Sequence, residues 1–582
     1  MTRVLLAGIA ATFALTACSS SSPQPSPAAA HDPAAHAVRP LENYRNGLSD
    51  VERHSFYHLS EGGELIPLAV FQALERSRTS QDPAGNGLVP FATNLDRYGF
   101  IPDETSDQNP FGLPVGMTVA RSKLTNRLIT GFNCTTCHVG EVWRNGRRVR
   151  IDGGPNMIRL NDMFRDLGTE LRATIDETGR RERFLAAVVR NRAANDATMP
   201  ADRSLAARAE ALGTDIDLAK ATLAYVQAMP TLGKLSTVEN GYGRVDAFGV
   251  ARNLLFGNDP QNLRPMNAPV SFPHIWGIET TAWLQWGANM NSVMERNIGQ
   301  SLGVGAVFDP KTFATTSRLD NLNALEHLMY KLSPPEWPAD VFGPVDQSRA
   351  ARGRPIYDRA CANCHEKPFQ VTPSGLVVYQ LFSPKQTGIS PLVAENFDKT
   401  VVVNGKAVRF AEAAFAALAR LKRQYYEANA VPEEIQAEWE NRTRRPPPEW
   451  EARTRSTLAE SEQFADSRGG KVYPAKPLAG VWATAPYLNN GSVPTMWDLL
   501  TPPEARPKTF TLGSREYDTE KLGYKNAEAS SPAPSWTLET SNPSNDSGGH
   551  PYGTNLPDDD KRALIEFLKV LRPGEMTKRP LR

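Results

Sequence analysis

The sequence predicts a mainly α-helical chain with two similar units, long connecting loops, one helical insertion and little β-structure. Three observations predict it. A Cys-x-x-Cys-His unit occurs twice, as Cys134-Thr135-Thr136-Cys137-His138 and Cys361-Ala362-Asn363-Cys364-His365. Apolar residues recur at helical spacing close to both units. With 46 Pro and 42 Gly in 582 residues, many turns and long connections surround few cores.

Cys-x-x-Cys-His is the attachment pattern of a c-type haem. Two cysteines three apart fix one porphyrin edge through thioether bonds, and the adjacent histidine reaches the iron from one face. Cys-x-x-Cys alone would also suit zinc or a redox dithiol, but the trailing histidine occurs twice and no further cysteine or histidine cluster completes a tetrahedral site. Two covalently bound haem c groups follow, on Cys134 and Cys137 with His138, and on Cys361 and Cys364 with His365. The fold expectation is therefore two c-type cytochrome domains.

The fifth cysteine concerns location. Residues 1–17 combine Arg3, an apolar run from Val4 to Leu15 and small residues, which reads as a secretion signal. Leu15-Thr16-Ala17-Cys18 resembles the lipobox of bacterial lipoproteins, which implies lipid attachment at Cys18 and a protein exported and anchored to the outer membrane, periplasmic or surface-facing. Residues 18–40, rich in Ser, Pro and Ala, read as a flexible tether. No later segment is apolar for the roughly twenty residues a spanning helix needs, so membrane contact is expected through the lipid alone. Lys and Arg number 65 against 64 Asp and Glu, a balance that offers no field for nucleic acid.

The N-terminal haem domain is expected over 41–335. Glu64 to Arg76 and Arg121 to Phe132 carry helical apolar spacing, the second just ahead of Cys134. Phe91 to Met117 reads as a long functional loop, a candidate wall or lid over the first haem. Ala197 to Met229 and Leu322 to Leu332 are further expected helices, and the proline segment 333–338 reads as the linker between the two domains.

The C-terminal haem domain is expected over 336–582. The helix Arg349 to Arg359 carries Gly353 and Tyr357 one turn apart, to pack closely against a partner helix, Asp558 to Leu571, whose acidic first turn suits the helix dipole. A charged helical insertion at about 410–465, broken at Pro432 and Pro446 to Pro448, reads as a solvated scaffold.

Nine histidines limit the search for further iron ligands. His550, in Ser547-Gly548-Gly549-His550-Pro551-Tyr552-Gly553 just before the last helix, is the best placed for the second haem, with Met496 as the alternative. His327 reads as a core or boundary residue, and His274 has no assigned role. The first haem has no comparable second ligand, which suggests an iron open to O2 or H2O2. The stretch from Pro273 to Arg296 is rich in aromatic and polar residues. Its candidates for catalysis or for an electron bridge are Trp276, Trp283, Trp286 and Glu295.

Beyond the haem units, Gly153-Gly154-Pro155-Asn156, Gly243-Arg244-Val245-Asp246-Ala247, Glu295-Arg296-Asn297-Ile298-Gly299-Gln300, Ala485 to Pro494 and Gly549-His550-x-Tyr552-Gly553 carry a resemblance that runs from Gly62 to Leu571. The chain resembles the diheme cytochrome c peroxidase superfamily and, more closely, its bacterial rubber oxygenase branch. That resemblance implies His138 as the sole protein ligand of an active N-terminal haem, and His365 with His550 on the second. It also implies oxidative cleavage of the double bonds of poly(cis-1,4-isoprene), with an apolar distal pocket. Two features depart from the branch: the lipid-type Cys18, and Asn489 where related Tyr-Leu-x-Asn-Gly motifs carry His. The expected function is a haem-dependent dioxygenase acting on polyisoprene or a related apolar unsaturated substrate. The alternatives are a diheme hydrogen peroxide reductase served by a small redox donor protein, and an electron-transfer cytochrome without enzymatic activity.

Overall fold

The computed structural model describes residues 41–43 and 46–573 apart from 80–81, 83–86, 201–214, 229–234, 258, 291, 310–311, 367–369, 372–375, 440–471 and 528–533. The expected signal peptide, Cys18 and the tether lie outside the described residues, as do Pro446 to Pro448 of the insertion.

Strand content corrects the mainly helical expectation. With 42% helix and 16% strand, the fold is mixed, built from helices and many small sheets, and it is not an all-helical pair of domains. The segment expected as a helix ahead of Cys134 is a hairpin, Met117–Arg121 with Leu128–Phe132, joined on its far side by Ile66–Pro67. Leu124, counted toward a helical face, is instead exposed at the turn. Without it, Leu128, Thr130 and Phe132 alternate into the core, the period of a strand. Glu64 to Arg76 likewise divides into the strand Ile66–Pro67, the short helix Leu68–Ala73 and the strand Glu75–Ser77.

Directly after His138 the chain forms a second hairpin, Val139–Arg144 with Arg147–Asp152, turned by Asn145 and Gly146 at φ 49° and 77°. Residues 41–43 add to it in parallel. Thr400–Val403 and Lys406–Arg409 repeat the device around Asn404-Gly405, at φ 51° and 75°. Both central residues need positive φ in this turn, which Asn-Gly tolerates best.

Of the helix expected over Ala197 to Met229, Asp215–Ala228 is seen, residues 199–200 are not helical, and 201–214 with 229 lie outside the described residues; Thr178–Thr198 is a further helix, and Leu319–Met329 stands where 322–332 was expected. The proline segment expected as the linker packs into the core. Trp337 is buried, Pro335 O accepts the Trp482 indole N–H at 3.1 Å, and one apolar cluster draws Tyr57 and Val149 from one half of the chain together with Trp276, Tyr357, Trp482 and Phe567. The insertion's helices, Phe410–Asn429 and Glu433–Trp439, also differ from a solvated scaffold: Phe410, Phe415, Leu418 and Leu421 are buried with Ile298 and Leu302.

The helix Gln347–Ala360 crosses the terminal helix Asp558–Val570 at Gly353. A Cβ there would lie 2.1 Å from Ala563 O, and Tyr357 meets the Phe567 ring at 5.2 Å. Gly353→Ala is therefore expected to destabilise the protein by about 1–3 kcal/mol, the usual cost of forcing atoms into a packed contact. An unchanged denaturation midpoint in urea would contradict that close approach.

Candidate functional site: two histidine-bearing turns and the strap between them

The first Cys-x-x-Cys-His turn is clamped on its backbone. Cys134 N–H donates to Glu61 Oε1 at 2.6 Å, Asn156 N–H to Cys137 O at 2.9 Å, and Asn156 Nδ2 to Thr136 O at 2.8 Å. Asn156 thereby explains the Gly-Gly-Pro-Asn segment. The long loop ahead of the unit ends at Gly116, whose carbonyl receives Asn133 N–H and the Thr136 hydroxyl, so it braces the turn from its backbone side. Behind that brace lies a cavity of about 640 Å³ lined by residues that include His58, Phe111, Leu113, Met117 and Val119.

His138 is buried, and its Nδ1–H donates to Pro273 O at 2.8 Å. That bond fixes the tautomer and leaves Nε2 with a lone pair, the state a metal-binding histidine needs. Burial, and then the Arg296 cation, hold its pKa well below the ordinary value. Arg296 Nη2 stands 3.1 Å from Nε2, and Phe272 presents its ring at 6.3 Å. Around Arg296 sit Asn297 Oδ1 at 2.9 Å and Glu61, whose carboxyl is pushed up to about 7 by burial. Gln300 Nε2 donates to Glu61 Oε1 at 3.3 Å. Polar groups thus gather beside His138, together with the apolar Phe272 and Met329.

The second turn is arranged differently. His365 Nδ1–H donates to Lys476 O at 2.7 Å, and the His550 ring faces it with centroids 6.1 Å apart and planes tilted by 45°. Two imidazoles each bonding one metal at about 2 Å through a ring nitrogen would stand at about this separation. Burial lowers both pKa values, that of His550 to about 4, so both rings are neutral near pH 7 and able to ligate. The Nδ1 atom of His550 is buried without a hydrogen-bond partner. Met496, the alternative ligand, is buried in the apolar core with its N–H on Leu522 O.

His550 lies on irregular chain at φ 58°, and Arg506 holds that chain in place. Its guanidinium donates to the carbonyls of Ser547, Gly549 at 2.6 Å and His550 at 3.1 Å, and also to Leu499 and Thr501. Nothing in the sequence marked Arg506 for this role, because the acceptors around His550 are main-chain atoms more than forty residues away.

Of the tryptophans, Trp276 ties the segments beside the two turns together by a stack and a hydrogen bond. It stacks on His274 at 4.6 Å, one residue beyond the carbonyl that holds His138, and donates its indole N–H to Ala479 O at 3.3 Å, three residues beyond the carbonyl that holds His365. Gly480, at φ 74°, lets the strand pass the indole: a Cβ there would be 3.1 Å from Trp276 Cζ2 and 2.8 Å from Pro335 Cδ. Trp283 packs in a separate apolar cluster, and Trp286 donates to Ser271 O. Glu295 is paired with Lys422 at 3.0 Å, so it stabilises the packing of the 410–429 helix. His58 bonds Asp103 at 2.9 Å, and His327 is exposed.

Comparison with known proteins adds the following. Residues 472–511 match the RoxA-like, cytochrome c-like family, the stretch that contains Lys476, Ala479, Gly480, Met496 and Arg506. The chain is 29% identical over 538 residues to the uncharacterized protein y4iJ of Sinorhizobium fredii (strain NBRC 101917 / NGR234), covering 83% of this chain and 85% of that protein. It is 28% identical over 265 residues to y4iM of the same organism, covering 45% of this chain and 50% of that protein. The match identifies a cytochrome c-like segment and, with it, a protein that binds haem c covalently.

Replacing Arg506 by Met removes every one of its donated bonds while keeping side-chain volume. Amides of residues 547–550 are expected to exchange with deuterium at least tenfold faster, as the loop loses hydrogen bonds from a charged donor worth about 1.5–3 kcal/mol each. Equal exchange in both proteins would show that the loop is held by something else.

Proposed function

We propose that the chain is a diheme c-type oxidoreductase in which the His138 centre is the reacting one and the His365–His550 centre is the electron reservoir. The carrying observation is the contrast between the two turns: His550 faces His365 across 6.1 Å, whereas Phe272 and Arg296 stand beside His138. The RoxA-like, cytochrome c-like match and the two Cys-x-x-Cys-His units support haem at these positions.

Haem c at the first turn, when bound, supplies an iron able to bind and activate dioxygen. The protein's part is orientation and charge. Pro273 O holds the His138 ring, and Arg296, a permanent donor, can stabilise negative charge that develops on an oxygen-derived ligand. Glu61, with a pKa of about 7, can hold or release a proton near Cys134. Trp276 is the side chain best placed to connect the two centres.

The reaction we favour, motivated by the rubber oxygenase resemblance, is cleavage of an apolar alkene by O2. One C=C and one O2 become two carbonyl groups, with no external electrons consumed. Polyisoprene or a smaller isoprenoid is the proposed substrate class. A second reading, reduction of H2O2 with two electrons and two protons from a small redox donor protein, is favoured by the proton-holding Glu61 beside Arg296. In either case we place the protein outside the inner membrane, tethered through a lipid on Cys18. Among the described residues no helix is long and apolar enough to cross a membrane.

Electron paramagnetic resonance of the purified ferric protein should show one high-spin and one low-spin haem, and His550→Ala should abolish the low-spin signal. Two low-spin signals in the resting protein would reduce it to an electron relay. Squalene or polyisoprene under ¹⁸O₂ should yield carbonyl products with label at both ends of the cleaved bond. Steady peroxide consumption without such products would select the second reading.

A further inference from the structure

His58 holds a loop by both of its ends. Its Nε2 lies 2.9 Å from Asp103 Oδ2 and its Nδ1 3.0 Å from Met117 O, so one buried ring joins the residues that begin and end the stretch 103–117. Within that stretch the chain is held by its own bonds. Asn109 Nδ2 donates to Glu104 O at 3.0 Å and to Leu113 O at 2.8 Å, and Leu113 N–H donates to Asn109 Oδ1 at 2.9 Å. Residues 104–113 therefore form one unit, a flap able to swing without unfolding. At its base Val115 N–H donates to Ile101 O at 2.9 Å. The flap is one wall of the cavity behind the Cys134 turn, where Phe111 and Leu113 face a space shared with His58 and Met117.

Both partners of the ring are acceptors. Met117 O has no proton to give, and Asp103 is a carboxylate: burial raises its pKa, but the His58 bond and the Arg150 cation outweigh burial and keep it below the ordinary value. An imidazolium donates from both nitrogens, whereas a neutral imidazole donates from one and turns a lone pair toward the other acceptor. Only the charged ring closes both ends. On losing a proton it keeps the bond to the carboxylate, the stronger acceptor, and gives up Met117 O. The remaining charged groups here are committed. Arg150, from the hairpin after His138, donates to Asp103 Oδ1 at 3.2 Å, and Glu141 lies 4.0 Å from that guanidinium. Tyr57 meets the His58 ring edge-on at 6.3 Å with its hydroxyl on Asp152, which also takes Arg53 at 2.8 Å. His54 stands one turn earlier on the same helix, and Asp107 lines the cavity.

We propose that His58 is a proton-controlled latch: as imidazolium it shuts the 103–117 flap over the cavity, and on losing its proton it releases the Met117 end and lets the cavity open. The inference stands on the loop's geometry and does not rest on the haem reading. Closure belongs to acid and opening to the rise of pH through the range where imidazole deprotonates. Release is felt at the first turn as well, because Gly116, next to Met117, accepts Asn133 N–H and the Thr136 hydroxyl. Replacing Asp103 by Asn reverses the logic: its amide can donate to Nε2 of a neutral ring whose Nδ1–H still reaches Met117 O, so that variant is latched with or without the proton.

The test is hydrogen–deuterium exchange of the full-length protein, read at single residues at about pH 5.5 and about pH 8.5 and expressed as protection factors, which remove the chemical effect of pH on exchange. Val115, bonded across the base of the flap, should lose protection about tenfold at the higher pH, while Leu113, bonded inside it, should not change. In His58→Gln the Val115 amide should be weakly protected at both pH values, and in Asp103→Asn well protected at both. Equal Val115 protection in the wild type at the two pH values overturns the latch. So does a pH dependence that survives in His58→Gln, which would assign it to another group such as Glu61, whose carboxyl titrates at about 7. Loss of protection at Leu113 together with Val115 means local unfolding and overturns it too. Should His58→Gln fail to fold, Asp103→Asn decides: protection independent of pH supports the latch, and wild-type pH dependence overturns it.

Discussion

Everything at the centre of this protein depends on two hydrogen bonds from imidazole to the main chain. His138 Nδ1 donates to Pro273 O and His365 Nδ1 to Lys476 O, at 2.8 and 2.7 Å. Each bond fixes a tautomer and aims the opposite nitrogen, which is what a metal requires of histidine. The segments that supply these carbonyls are themselves joined by the Trp276 indole on Ala479 O. The two turns, 227 positions apart if counted from His138 to His365, are therefore set by one local strap. Any movement of 273–276 against 476–480 would misalign both histidines together.

Such a strap is made of irregular chain, and irregular chain needs its carbonyls satisfied when buried. The protein uses buried arginines for this. Arg506 gathers carbonyls around His550. Arg244 donates to Asn240 O, Asn490 O at 3.0 Å and Asn545 Oδ1 at 2.8 Å, joining two of the family-like segments, Gly243 to Ala247 and Ala485 to Pro494. Burial lowers the Arg244 pKa to about 9, the cost of enclosing a cation whose acceptors are dipoles. Several geometrically fixed donors on one planar group offset that cost by satisfying acceptors that would otherwise be orphaned. This is how loops rich in Pro and Gly can hold ring positions as firmly as a helix would.

Arg296, Glu61 and Asn297 are buried beside the His138 imidazole with the half-buried Gln300, and low dielectric magnifies each interaction there. A carboxyl near pKa 7 next to a fixed cation can hold a proton or release it with little penalty. The Cys361 turn instead faces a second imidazole.

The sequence by itself determined the cofactor chemistry, because Cys-x-x-Cys-His is a local pattern whose five residues carry its meaning. It also determined the contact of 347–360 with 558–570, since Gly353, Tyr357 and the acidic first turn of the partner are local signals with one geometric reading. The Asn-Gly pairs at Asn145 and Asn404 are local turn signals for their own hairpins, whereas helical spacing of Leu124, Leu128 and Phe132 concealed the separate hairpin of 117–132. Spacing cannot distinguish a helical stripe from a strand whose turn residue is apolar. That Trp276 bonds the segment after Lys476, that Glu295 is tied to Lys422, and that the Lys476 carbonyl and Arg506 hold the histidine-bearing chain were decided only by tertiary structure. Each of those roles is played toward main-chain carbonyls or toward charges brought close by folding, and neither leaves a trace in residue order.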